Sequence, residues 1–567
     1  MLNFYDFEVF KEDWLVVIIN PDERSTTTIV NDADKLKEYY EAHKEEIWVG
    51  YNNIHYDQYI FKSILCGFNP KEVNDFIIRD GKKGYQFSNL FRKIKMINYD
   101  VFIRNDGGLK SLEGFMGNNI HETSVPFDID RKLTANEIKE TVKYCTHDVE
   151  QTIEVFLERI ADFEAHKGLI SAFNLPLSSM DKTKAQLVAQ ILEAKRPINN
   201  RDDEFDIEFA DTIEIKKYRD IVDWYKNPLN LDYSKSLEVD VAGVPHIFAW
   251  GGIHGAIPQY QGEGLFVNID VESYYPSMIL RYGWMSRNVA SDTKYRNIYN
   301  TRLDMKHKKM KKEQLPYKTV LNTTYGCMKD KFNNLYDPRQ ANNICVNGQL
   351  LLLDLIEKLE PYFDIIQSNT DGVLVKLRNE EDYGLLDDIC YEWEERTGMK
   401  LEFDEFVKVF QKDVNNYILV DADGNYKSKG AYVKKLSNLD YDLPIVNEAL
   451  VNYMVKGISI ERTINECNDL KKFQKIVKVS GKYMYGMYGN EILTDRCFRV
   501  FASNRVNDKG IFKRKSLDKN PEKFANTPEK CFIDNTNIND KKVPQYLDRE
   551  WYIEMSKNRL SQFGVGG

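Results

Sequence analysis

The chain has 567 residues, is 42% hydrophobic and 13% aromatic, and carries a net charge of −10 with a pI near 5.6. The acidic balance argues against wrapping of duplex nucleic acid by the whole surface and confines any phosphate-binding face to a local basic patch. Eight scattered cysteines without a CxxC pair argue against structural zinc and a disulfide framework. No apolar run approaches the ~20 residues of a membrane helix, and no leader is evident. At roughly one domain per 150 residues, three or four domains are expected.

Residues 1–165 alternate strand and helix, as in an α/β domain. Met1–Asp6, Leu15–Ile19 and Ile47–Val49 read as strands. Thr134-Ala-Asn-Glu137 is a capping box opening a long helix directed toward Ala165. Asp6 and Glu8 lie two residues apart on the first strand and share a face. Asn53-Ile-His-Tyr-Asp57 puts another acid at a strand-to-helix junction. In Tyr144-Cys-Thr-His-Asp148 a spacing of four stacks Tyr144 and Asp148 on one side of the capped helix. Any one of these acids alone reads as solvated charge among 88 Asp and Glu. Together they offer four carboxylates and a tyrosine to one pocket, a set able to bind Mg²⁺ through oxygen. Asp100 rivals Asp57, which Asn53 accompanies.

Residues 166–250 read as a helical connector punctuated by Asn227, Pro228 and Asn230. The strand Leu265–Asp270 turns its apolar residues to one face and Asp270 to the other, then leads past Tyr275 into a helix whose first turn begins at Pro276. Residues 290–327 read as a helical hairpin with Pro316 near the start of its second arm. Lys318, Asn322 and Tyr325 form one helical stripe. Arg302, Lys306 and Lys309 repeat that spacing upstream; Lys306 and Lys318 suit triphosphate contact, while Lys308, Lys311 and Lys312 read as solvated surface. Residues 363–377 read as two strands joined by Asn369-Thr-Asp-Gly372, where Asp-Gly is itself a hairpin signal. Beyond about residue 430 the pattern reads as mostly helical, ending in Gly564-Val-Gly-Gly567. Asp270 and Asp371 bracketing Lys318 meet the needs of two Mg²⁺ ions and a triphosphate, so these residues point to nucleotidyl transfer.

The amino-terminal segments resemble the DxE, NxxxD and YxxxD motifs of proofreading 3′–5′ exonucleases. Asp270-Val-Glu-Ser-Tyr-Tyr-Pro-Ser277, Lys318-Thr-Val-Leu-Asn-Thr-Thr-Tyr-Gly326 and Gln367-Ser-Asn-Thr-Asp-Gly372 resemble motifs A, B and C of family B DNA polymerases: DxxSLYPS, KxxxNSxYG and YxDTDS. Tyr274 stands for the leucine, Asn322-Thr323 for NS, and Asn369 for the first acid of motif C. Asn415-Asn-Tyr417 resembles the KxY element without its lysine, although Lys412 is nearby. Lys429-Gly430 resembles the KG pair, and Ala249-Trp-Gly-Gly252 the YxGG link without its tyrosine. The likeness spans residues 1–435 and is closest to the compact bacteriophage enzymes, with no extra amino-terminal domain expected.

The resemblance implies an α/β multidomain fold: a ribonuclease H-like exonuclease domain (1–165), the connector (166–250), and a right-hand polymerase. Its parts would be palm (251–289 and 328–430), fingers (290–327), and thumb with C-terminal region (431–567). It implies that Asp270 and Asp371 hold two Mg²⁺ ions, with Mn²⁺ as a substitute, and that Lys318 and Lys306 meet the triphosphate. Asn322 and Tyr325 would pack at the nascent base pair, and Tyr275 would exclude ribonucleotides. Asp6, Glu8, Asp57 and Asp148 would bind the exonuclease metals, with Tyr144 assisting the water and Lys110 resembling an auxiliary lysine. Asn53, Tyr417, Lys429 and Gly430 would contact DNA, and Lys434-Lys435, Lys471-Lys472 and Lys509–Lys515 would reach duplex phosphates from the thumb.

Expected partners are primer–template DNA, dNTPs, and phage or host helicase, primase and single-strand-binding protein, in the cytoplasm of an infected bacterium and away from membranes. Short gaps between Asp270 and Lys318 and between Gly326 and Asn369 leave no room for the insertions of protein-primed relatives. Neither a terminal protein nor robust unaided strand displacement is therefore expected. Two alternatives stand beside this reading: an exonuclease with an inactive polymerase-like platform, which Asn369 and the missing KxY lysine favour, and a non-enzymatic scaffold using aromatic stacking.

Overall fold

The computed structural model describes residues 1–196 and 203–565. Part of the expected connector (197–202) and the last two glycines of the carboxy terminus lie outside the described residues. The chain forms two compact units. One comprises Met1–Thr183, Leu436–Ile445 and Glu466–Tyr552; the other comprises Lys184–Lys435, Val446–Asn465 and Ile553–Gly567. No helix among the described residues is long and apolar enough to cross a membrane.

The first unit is built on a five-stranded sheet of β1 (Leu2–Val9), β2 (Trp14–Asn20), β3 (Ser25–Val30), β4 (Ile47–Gly50) and β5 (Ile97–Asp100). Its order is β3-β2-β1-β4-β5, with β1–β2 and β2–β3 antiparallel and β1–β4 and β4–β5 parallel. This is the mixed α/β arrangement expected of a ribonuclease H-like domain. Although β1 carries Asn3, Asp6 and Glu8, it is buried along nearly its whole length, as suits the central strand of the sheet. Tyr5 and Phe7 pack edge-on with Phe61, and Tyr5 does so with Trp48. The Ala135–Glu158 helix opens on the expected capping box, with Thr134 Oγ1 accepting from Glu137 N and Glu137 Oε2 accepting from Thr134 N. It stops at Glu158 rather than running on to Ala165. Arg159 leaves helical geometry and grips Asp106 with two guanidinium contacts of 2.7 and 2.8 Å.

The second unit is organised by a nine-stranded antiparallel sheet. Its strands are β6 (Ser236–Val241), β7 (Val244–Ala249), β8 (Gly252–Ala256), β9 (Tyr260–Val271), β10 (Asp364–Ser368), β11 (Gly372–Leu377), β12 (Leu401–Asp413), β13 (Asn416–Val420) and β14 (Tyr426–Lys429). They run in the order β14-β13-β12-β9-β11-β10-β8-β7-β6. The connector is thus only partly helical, because β6 and β7 join this sheet. Behind the sheet lies the Pro338–Leu359 helix, which is buried nearly all round although Asn347, Gln349 and Asp354 go inside with it; each is satisfied there by a hydrogen bond. Thr293–His307 and Leu315–Lys329 form the expected helical hairpin, with Pro316 in the first turn of the second arm, where its missing N–H costs nothing.

The carboxy-terminal part departs most from expectation. Between residues 475 and 533 it is built of short strands: β15 (Lys475–Lys478), β16 (Tyr485–Tyr488), β17 (Glu491–Leu493), β18 (Cys497–Ala502), β19 (Ile511–Arg514), β20 (Glu522–Lys523) and β21 (Cys531–Ile533). They make two small sheets, β15-β18-β21 and β17-β16-β19-β20. β-branched and aromatic runs such as Cys497-Phe-Arg-Val-Phe-Ala favour strands over the helix read from the sequence. This segment also belongs to the first unit, whereas the thumb reading detached it from the amino-terminal domain.

Candidate functional site

In the first unit, β1 presents Asp6 and Glu8 from one face, and the turn entering the Asp57–Leu65 helix brings Asp57 beside them. Asp57 Oδ1 accepts from the Phe7 backbone N–H at 3.2 Å. The Ala135–Glu158 helix supplies Asp148, with Tyr144 one turn earlier. Glu8, Asp57 and Asp148 are each less than a tenth exposed. Crowding follows directly from this geometry. Burial first, then repulsion from Asp57, Glu8 and Asp148, holds the Asp6 carboxyl well above its ordinary range. Burial and neighbouring acids do the same to Glu8, and Asp57 is pushed up to about 7, chiefly by burial. Burial also raises Asp148, against the lowering effect of Lys110. Such a cluster of hard oxygen donors suits Mg²⁺ or Mn²⁺, which would relieve the repulsion.

Lys110 enters the cluster from the Leu109–Met116 helix. Its ammonium pairs with Asp148 and with Glu113 (2.9 Å), and lies 4.7 Å from the centre of the Tyr144 ring. Three members of this neighbourhood escaped the sequence reading. Glu113 is fully buried, binds Lys110, and lies 3.4 Å from His147 Nε2. Cys145 is buried with its thiol donating to the Asp6 carbonyl at 3.4 Å. The ligand atoms of Asp6, Glu8 and Cys145 fall within 4.8 Å of one another, as do those of Glu113, His147 and Asp148. The only sequence signal for Glu113 was its place one turn beyond Lys110.

The rival to Asp57 is accounted for here, and one expectation changes. Asp100 is occupied by the backbone N–H groups of Asn52, Ile54 and Phe102, so it braces a loop and leaves the cluster to Asp57. Asn53, expected to contact DNA, is fully buried and donates to Asn98 Oδ1 at 3.3 Å. It supports the carboxylate loop from inside, out of reach of a strand.

In the second unit, Asp270 stands near the end of β9 and Asp371 in the turn between β10 and β11. The Val271 N–H donates to the Asp371 carbonyl at 2.8 Å, which joins the two acids through backbone. Gly372 pairs with Asp270 across the sheet, and Asn369 N–H closes the turn onto the Gly372 carbonyl at 2.8 Å. Asp270 is pushed up to about 6 by burial first and Asp371 second, against the opposing hydrogen bond from Asn268 Nδ2 at 2.7 Å. These oxygens again fit a hard divalent cation. Asn369 faces the hydroxyl of Tyr417, which also feels Asp270 and Asp371. Tyr417 pairs with Lys429 between β13 and β14, and Gly430 follows at φ +106° against Asn416.

Tyr275 and Tyr325 meet with ring centroids 4.3 Å apart, and Tyr275 lies near Thr370 in the turn that carries Asp371. Lys318 and Asn322 are exposed on the same helix as Tyr325. Lys306 is differently placed: its ammonium is held by Glu272 and Glu402, and Glu402 pairs directly with Asp270 on the neighbouring strand. Its ammonium is therefore already paired with two carboxylates. Lys309 lies past the helix end at φ +56° and drops out of the stripe. Arg302 is buried and donates to Ser273 at the strand-to-helix corner.

No protein-family model matches the chain, and no curated protein matches it. Among solved structures, the family B DNA polymerase from the hyperthermophilic archaeon Pyrobaculum calidifontis is similar over 100% of this chain and 78% of that chain, with a TM-score of 0.43 and 14% identity.

Proposed function

We propose that the protein is a template-directed DNA polymerase that extends primer 3′ ends with dNTPs and removes mispaired ends through a separate 3′–5′ exonuclease site, replicating a bacteriophage genome. The observation that carries this reading is the joining of Asp270 to Asp371 across β9 and β11, with Tyr275 and Tyr325 beside them. Mg²⁺, when held by these two carboxylates, supplies activation of the primer hydroxyl and neutralisation of the triphosphate. Asn268 orients Asp270 by its hydrogen bond. Lys318, exposed on the helical hairpin, meets charge on the departing pyrophosphate. Tyr275 and Tyr325 wall the sugar and base of the incoming nucleotide. In the first unit Asp6, Glu8, Asp57 and Asp148 form the metal-binding set for hydrolysis, and Tyr144 orients the attacking water. Primer–template DNA and dNTPs are the substrates, and helicase, primase and single-strand-binding protein are the partners this role calls for in an infected cell.

The test is extension of a labelled primer with Mg²⁺ and dNTPs by the full chain and by Asp371→Asn. Extension lost only in the variant supports the reading; no extension by the unaltered protein refutes it. A second reading, exonuclease alone, draws on Asn369 in place of an acid and on Lys306 engaged by Glu272 and Glu402. It requires degradation of single strands without any extension.

A further inference from the structure

Arg499 on β18 is fully buried, yet among the described residues no carboxylate pairs with it. Its guanidinium donates instead to five neutral oxygens: Gln474 Oε1 (3.1 Å) and the carbonyls of Asp534 (3.1 Å), Thr536 (2.6 Å), Gly114 (3.1 Å) and Asn118 (2.7 Å). All five N–H donors of the fork are thereby used in one fixed geometry. Burying an arginine without a counter-charge is costly. Its compensation here is that one rigid group ties carboxy-terminal backbone to the end of the Leu109–Met116 helix. Carbonyls at a helix C-terminus lack partners within the helix and favour a cation.

That helix is the one that carries Lys110 and Glu113. Its opposite end is tethered too, since Lys478 Nζ donates to the Gly107 carbonyl at 2.5 Å. Along its length Ile476 lies against Gly114 so closely that a Cβ there would stand 2.8 Å from Ile476 Cδ1. The loop that follows is bound through backbone: Ile120 N–H donates to the Asn535 carbonyl (2.8 Å) and Ile538 N–H to that of Gly117 (2.9 Å). Glu122 Oε1 accepts from the backbone N–H groups of Arg496 and Cys497, both at 2.9 Å.

We propose that the Glu466–Tyr552 segment is a working part of the candidate nuclease, and that Arg499 is a positioning residue which, through the Gly114 and Asn118 carbonyls, sets where Lys110 meets Asp148. This rests on the nuclease reading of Asp6, Glu8, Asp57 and Asp148. Displacing a reacting group by about 1 Å can cost up to ~100-fold in rate.

The test uses the full chain and follows degradation of single-stranded DNA from its 3′ end alongside primer extension and thermal melting. Arg499→Met is expected to lower the kcat for degradation by roughly tenfold or more, with KM and the rate of primer extension unchanged. Arg499→Lys, with three donors, is expected to fall between. If Arg499→Met does not fold, Lys478→Met decides, because Lys478 is exposed and tethers the other end of the same helix; a fall in kcat of several fold is expected. Wild-type kcat in the folded variant overturns the proposal. So does a loss that appears equally in extension and in melting, which marks a merely structural role. If the unaltered protein degrades no DNA, the nuclease reading itself fails, a result distinct from either.

Discussion

Gly372 lies directly across the sheet from Asp270, and a Cβ added at 372 would stand 2.1 Å from Asp270 Oδ1 and 2.9 Å from the Ile269 carbonyl oxygen. The glycine is thus part of how Asp270 holds its carboxylate, not only a turn former. Gly372→Ala should push that carboxylate aside. Primer extension is expected to fall by roughly tenfold to a hundredfold, as for a misplaced reacting group, while 3′ degradation stays within twofold of the unaltered protein. Unchanged extension by a folded Gly372→Ala would show that Asp270 is not a reacting group.

The two acidic sites belong to different compact units and use different residues. Asp6→Ala is expected to abolish degradation of single strands and leave extension intact. Asp270→Asn is expected to do the reverse. A single variant that removes both activities would contradict the assignment, and gel assays of both reactions on one preparation decide it.

Lys318 and Lys306 should contribute unequally. Lys318 is exposed and carries no ion pair among the described residues, while Lys306 is engaged by Glu272 and Glu402. A lysine already neutralised has less to offer an incoming triphosphate. Lys318→Met is expected to raise the dNTP KM by about tenfold, equivalent to about 1.4 kcal/mol. Lys306→Met should raise it less than about threefold, the scale of a half-exposed ion pair. Steady-state titration with a single dNTP measures both; equal effects would remove the distinction.

Stability should depend on pH in an unusual direction when divalent cations are removed. Asp57 titrates near 7 in the folded chain, and Asp6, Glu8 and Asp148 are raised as well, against about 4 in an unfolded chain. Between about pH 4 and 7 the folded state binds more protons, so these groups make stability rise as pH falls through that window. Lowered histidines such as His121 act in the opposite sense, which is why a variant is needed. In excess EDTA, Asp57→Asn is expected to melt higher than the unaltered protein at pH 8, by roughly 1–3 kcal/mol, with the gap closing toward pH 5. Saturating Mg²⁺ should remove it. A lower melting point for the variant at pH 8 would contradict the crowding.

Much of the site was readable along the chain because its residues lie in local patterns. Two-residue spacing aims Asp6 and Glu8 together on any strand, four-residue spacing aligns Tyr144 with Asp148 on any helix, and Asp-Gly between apolar runs makes the hairpin that carries Asp371. The choice of Asp57 over Asp100 was different. Asn53 beside Asp57 favours Asp57 in the sequence, but only the loop amides of Asn52, Ile54 and Phe102 show that the Asp100 carboxylate is already occupied. Glu402 carried no local signal, and Glu113 only its place one turn beyond Lys110, because their importance depends on what lies opposite: Lys306 and Asp270 for Glu402, Lys110 and His147 for Glu113.

By itself, then, the amino-acid sequence determined the strand and helix that present each acid, through periodicities of two and 3.6 residues that hold wherever the element sits. Only the tertiary structure decided which segments share a unit. Glu466–Tyr552 reads alone as a carboxy-terminal appendage, and its affiliation is set by contacts across more than 300 residues of chain, such as those of Arg499 with Gly114 and Asn118. A buried arginine satisfied by four backbone carbonyls and one glutamine amide oxygen leaves no charged partner to find in the sequence. What binds it is chain geometry, which exists only once both segments have folded.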